Sequence, residues 1–84
     1  MLSDKSIDAV SITSYSDQHA AQAVAAARAG KHIILEKPMA LSWEDCLLIE
    51  SEVKKAGVKV CICFECRYSN QFMVTKALVD TGLI

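Results

Sequence analysis

The sequence predicts an α/β chain of order β-α-β-α-β-α, folded as an open doubly wound parallel sheet. Three observations predict it. Short apolar, β-branched runs alternate with stretches of strong helix formers. Each of the three glycines, Gly30, Gly57 and Gly82, falls where a helix would end. The strand runs are almost unbroken in apolar character, the mark of parallel strands joined by right-handed crossovers and covered on both faces.

Asp8-Ala9-Val10-Ser11-Ile12-Thr13 is short, β-branched and bounded by polar residues, so it reads as the first strand. Ser14-Tyr15-Ser16 makes the turn. From Asp17 to Ala29 the residues favour helix, with Ser16 or Asp17 placed to cap its start and Gly30 to end it in a left-handed conformation. His32 to Leu35 is the second strand. Ser42 caps a helix running to about Ala56, with Glu44 and Asp45 complementing its dipole and Cys46, Ile49, Val53 and Ala56 forming its apolar side. Gly57 closes that helix. Val58 to Phe64 is the third strand, and Gln71 to Asp80 a third helix, with Gly82 near its end.

At 84 residues the chain is one domain at most, near the lower limit for a self-sufficient core. A 52% hydrophobic content with a net charge of -1 lacks the basic surplus of a nucleic-acid binder, so no nucleic-acid partner is expected. No apolar run reaches the roughly 20 residues of a membrane helix, and the opening MLSDKSIDAV lacks a signal peptide's apolar core. A cytoplasmic protein with no membrane association is the expectation, its four cysteines held as thiols.

Parallel strands deliver their carboxyl ends to one rim, and ligands of open α/β sheets bind outside that rim. Three loops would meet there: Thr13 to His19, Glu36-Lys37-Pro38, and Glu65-Cys66-Arg67-Tyr68. The second explains why a buried strand ends in an acid, a base and the only proline. The strand feeds a polar site, and the proline stops pairing and restrains the residue before it.

These residues carry a resemblance. IDAVSIT, a histidine entering an Ala-rich helix, AGKHIILEKPMA, AGV, and a strand ending in F-x-x-R-Y together closely resemble the Gfo/Idh/MocA family of NAD(P)-dependent dehydrogenases, named after glucose-fructose oxidoreductase and inositol dehydrogenase. The match covers nearly the whole chain, and AGKH-x-x-x-EKP is its specific part. The resemblance implies a Rossmann domain holding NAD or NADP, followed in the intact enzyme by an α/β domain that completes a pocket for a sugar, polyol or related hydroxy compound. It implies that Glu36 lies near the nicotinamide ribose, that Lys37 is the catalytic, substrate-facing residue, and that Pro38 follows a cis peptide. Ser14, Tyr15, Ser16 and His19 would line the cofactor crevice.

The chain departs from the family at Ser14-Tyr15-Ser16, where Thr-Pro-Asn is usual, and at Cys63 and Glu65, where glycine and asparagine are common. It also has no G-x-G-x-x-G, so the pyrophosphate cradle is missing, as are the ribose-reading acid and the later Asp/His segment. Residues 1–84 therefore read as the second half of a Rossmann domain, without its first βαβ unit or the substrate domain. Such a fragment is expected to be inactive alone, not to retain NAD or NADP, and to self-associate as a homo-oligomer through the exposed edge of its first strand.

Each candidate has a plainer alternative. Glu36-Lys37 is also a solvated strand exit, and His19 a first-turn helix residue. Arg67 reads best as a structural ion-pair partner of Glu65 or a nearby acid. Cys61, Cys63 and Cys66 resemble metal-ligand spacing, but the alternation of a buried strand makes core thiols the expected reading, with no metal.

Overall fold

The computed structural model describes residues 1–83. Strands β1 (Ala9–Ile12), β2 (His32–Glu36) and β3 (Val60–Cys63) form a parallel sheet in the order β1-β2-β3. Helices α1 (His19–Arg28) and α2 (Trp43–Ala56) make the crossovers, and α3 (Asn70–Asp80) follows the last strand. Short 3₁₀ turns at Ser16–Gln18 and Glu65–Tyr68 lead into α1 and α3. The order is the expected α/β alternation, with β1 and β3 each shorter than their apolar runs.

Register aligns the core. Val10, Ile33 and Val60 stand abreast, as do Ile12, Leu35 and Ile62. With Ala23, Ala26 and Ala27 of α1 and Ile49 and Val53 of α2, these rows form one apolar cluster. The alanines matter because a helix without bulk can lie close to the sheet. α1 touches β1, β2 and α2, and so forms the middle of the packed layer.

Only one face is covered, which corrects the expectation of strands buried on both. Val10, Ile12, Ile33 and Leu35 are buried while Ala9, Ser11, His32 and Ile34 alternate to the exposed face. The reason is topological: successive right-handed crossovers between neighbouring strands carry both helices to the same side. Cys61 lies on that open face beside Ile34 and is exposed, and Cys63 and Cys46 are only half-buried. The cysteines are free thiols but do not belong to the core, contrary to expectation.

Local signals were met unevenly. The Ser42 hydroxyl accepts from the Asp45 backbone N–H at 3.1 Å, and Gly57 ends α2 at φ 71°. Neither Ser16 nor Asp17 caps α1. The chain enters that helix through the 3₁₀ turn, whose own backbone bond from Gln18 N–H to the Tyr15 carbonyl (3.0 Å) takes up the polar group instead. On α2, Ile49 and Val53 bury as expected and Cys46 does so in part, but Ala56 is exposed and Glu52 occupies a buried place. Arg28 explains it: its Nε and Nη2 donate to the two Glu52 oxygens at 3.1 and 2.9 Å, a bidentate pair joining α1 to α2.

Lys31, 5% exposed, is the other buried charge. Its Nζ donates to the carbonyls of Asp4 and Ile7, each at 2.6 Å, and so fastens the segment before β1 to the head of β2. At the same end of the sheet His32 Nδ1 accepts from the Lys59 backbone N–H at 3.0 Å. α3 buries nothing and leans on the turn before it. The molecule measures 51 × 30 × 24 Å with a radius of gyration of 15.8 Å. A compact chain of this length would have about 12 Å.

Candidate functional site

Because the strands are parallel and in register, Ile12, Glu36 and Cys63 hand their following loops to one rim. Two of those loops meet through His19. It is the first residue of α1, 1% exposed, and its ring lies between the two turns. Nδ1 is 2.8 Å from the Pro38 carbonyl oxygen and Nε2 is 3.0 Å from that of Ser14.

The remaining predicted residues surround this contact. Glu36 ends β2 and is half-buried, whereas Lys37 and Pro38 are exposed, joined by a cis peptide as the resemblance implied. Lys37 makes no ion pair among the described residues. Ser14 and Ser16 are half-buried, and Tyr15 is 83% exposed. The Ser14 hydroxyl donates to Gln22 Oε1 at 2.6 Å, and Gln22 in turn donates to Gln18 Oε1 at 3.2 Å, which ties the turn to the outer side of α1.

The third loop stands apart. A cleft of about 500 Å³ opens between β3 and the Glu65–Tyr68 turn, lined by Cys61, Cys63, Phe64, Glu65, Arg67 and Tyr68 but by no residue of the other two loops. Arg67 does not form the expected ion pair. Its guanidinium lies 6.0 Å from the Tyr68 ring centroid, and no acid pairs with it among the described residues. Among the described residues no cluster of His, Cys, Asp and Glu could hold a metal, and no helix is long and apolar enough to cross a membrane.

Comparison with known proteins identifies the family. Residues 1–64 match the family described as "Oxidoreductase family, NAD-binding Rossmann fold", and the chain belongs to this Gfo/Idh/MocA family. It is 38% identical to the inositol 2-dehydrogenase of Salmonella typhimurium over 85 aligned residues, spanning all of this chain and 25% of that protein. Among solved structures, an NAD-binding protein from Listeria innocua superposes with a TM-score of 0.93 at 31% identity, over 99% of this chain and 24% of its own. The WlbA dehydrogenase from Bordetella pertussis, solved with NADH and UDP-GlcNAcA, superposes at 0.86 and 32% identity, over 98% of this chain and 24% of its own. The chain thus spans about a quarter of the length of the relatives it matches.

The residues present suit one end of a dinucleotide. Two hydroxyls, a phenol, a carboxylate and an ammonium stand at the rim, donor and acceptor types that a nicotinamide riboside would need. A pyrophosphate needs converging backbone N–H groups at a glycine-rich helix start, and these residues contain no such turn.

Sequence reasoning missed Lys31 and, at the named candidate His19, the scaffold role. Lys31 was visible as a lysine heading a buried strand inside AGKH, a position where a charge must find acceptors. The role of the His19 ring was not visible, because its two carbonyl partners belong to the backbone and have no residue signature.

Proposed function

We propose that this chain is the nicotinamide-side portion of an NAD- or NADP-dependent oxidoreductase acting on a sugar, polyol or related hydroxy compound, with Lys37 facing the substrate. The observation that carries this reading is the Glu36-Lys37-Pro38 turn, leaving the central strand of a parallel sheet at its carboxyl rim and fastened to the Ser14 turn. Inositol and nucleotide-sugar relatives support the substrate class. The bound nicotinamide would accept the hydride. Lys37 stabilises the alkoxide that develops as the substrate hydroxyl gives its proton to a base, an effect strongest where water is excluded. Glu36 binds the nicotinamide ribose, and Ser14, Tyr15, Ser16 and Pro38 shape the crevice, with His19 behind them. Free thiols and a neutral composition fit a cytoplasmic setting.

The test is a graft of residues 1–84 into the matching quarter of the Salmonella inositol 2-dehydrogenase, followed by Lys37→Ala. NADH binding should survive and kcat should fall by about 10²-fold to 10⁴-fold. An unchanged rate removes Lys37 from the chemistry.

A second reading has its own observation. β1 has a free edge, and a cleft of about 470 Å³ runs beside it, lined by Leu2, Val10, Ile12, Gln22 and Ala26 among others. An unpaired edge next to apolar surface favours strand addition from a second copy. On this reading the chain alone is an inactive α/β module that forms homo-oligomers. Light scattering distinguishes the states, and a monodisperse monomer at about 100 μM, far above the micromolar range of modest association, would exclude it.

A further inference from the structure

We propose that His19 is a positioning residue that holds the Lys37 turn against the Ser14 turn. Its importance for chemistry rests on the reading of Lys37 given above, whereas the brace itself does not.

The ring is almost wholly buried and bonds to nothing but two backbone carbonyls, one from each loop. Both partners can only accept, so a neutral ring donates to one of them and a protonated ring to both. The imidazole is the one side chain whose two nitrogens face both loops, hydrogen-bonding one carbonyl when neutral and both when protonated; among the described residues, no side-chain bond outside this ring joins the turn after β1 to the turn after β2. The shape of imidazole suits the task. Two nitrogens on opposite flanks of a rigid plane set the distance between the carbonyls, and α1, packed on both strands, sets the position of the plane.

Lys37 is exposed and flexible by nature, and its own side chain has no ion pair to fix it. Its backbone must therefore be aimed from behind. The Pro38 carbonyl immediately follows Lys37, so an anchor there restrains the turn that presents the ammonium. Misplacement of a reacting group by about 1 Å costs roughly 10²-fold in rate, which gives such an anchor catalytic value.

The two nitrogens can be separated by substitution. Asn carries its amide nitrogen where Nδ1 stands, toward Pro38, and Gln carries its amide nitrogen near Nε2, toward Ser14. Backbone ¹⁵N relaxation on the isotopically labelled 84-residue chain reads the outcome. His19→Asn should keep the Lys37 amide at a rigid order parameter, about 0.85, while Tyr15 falls below about 0.6; His19→Gln should do the reverse, and His19→Ala should loosen both. Gly57→Ala, at the end of α2 away from the rim, serves as the control for general destabilisation and should loosen neither.

Equal order parameters in wild type and His19→Ala would overturn the proposal, as would loosening of Lys37 by Gly57→Ala to the same degree. Should His19→Ala fail to fold, the wild-type ring decides. A slowly exchanging ring N–H coupled through the hydrogen bond to the Pro38 or Ser14 carbonyl carbon is expected, and its absence from both sinks the brace. These readouts need no cofactor. A positive result here alongside a fully active Lys37→Ala graft would leave the brace standing and the catalytic reading fallen.

Discussion

Lys37 and Arg28 are both cations on the surface, yet the structure uses them in opposite ways. Among the described residues Lys37 has no ion-pair partner at the rim, while Arg28 grips Glu52 with both arms. That grip lowers the Glu52 pKa below its ordinary 4.5, chiefly through the Arg28 hydrogen bonds, against a smaller opposing effect of desolvation. The sign of the pH dependence follows. A carboxyl depressed in the folded chain contributes stability above its unfolded value and loses that contribution as pH falls through the folded value. Urea melts between pH 7 and pH 3 should therefore show a loss beginning near pH 4.5 and continuing below it. Arg28→Ala should flatten the Glu52 part of that slope, and a slope identical to wild type would mean the pair contributes nothing. Asp4 adds a component of the same sign, its carboxylate held by the Ser6 hydroxyl and backbone N–H.

The helices depend on their ends. Ser42→Ala removes the one side-chain cap observed at a helix start and should cost about 1 kcal/mol. Gly57→Ala meets no neighbouring atom, so its cost is purely that of placing an L-residue at φ 71°, about 1 to 2 kcal/mol. The pair thus separates a lost hydrogen bond from backbone strain. Both are read as shifts in the urea midpoint at constant m-value. By contrast, substitution of Ser16 should leave stability nearly unchanged, because the 3₁₀ turn supplies its own backbone bond. Helix ends were legible where a single side chain or glycine does the work, as at Ser42 and Gly57. They were illegible at α1, where backbone geometry competes with the hydroxyl.

As a whole the molecule is one packed layer with surfaces left over. Among the described residues nine buried apolar ones make its core, so the loss of one is serious. Ile49→Ala, at a fully buried site, should cost about 2 to 5 kcal/mol, a large share of what a domain commonly has. The open sheet face, the β1 edge and the exposed apolar residues Phe72, Met73, Val74 and Val79 of α3 all lie outside that core. NADH titrated into the chain and followed by fluorescence should bind weakly or not at all, since these residues contain no glycine-rich turn to cradle a pyrophosphate; saturable micromolar binding would contradict this. Alternation of apolar runs and helix formers was enough to specify the order of elements, their parallel direction and the rim from which Lys37 emerges. Those follow from local preference and crossover handedness, which act on stretches of chain. The bare second face, the exposure of Cys61, the burial of Glu52 beneath Arg28 and the His19 contact with two carbonyls were decided only by tertiary structure. Each depends on which distant backbone or side chain stands opposite, and residue identity alone does not contain that information.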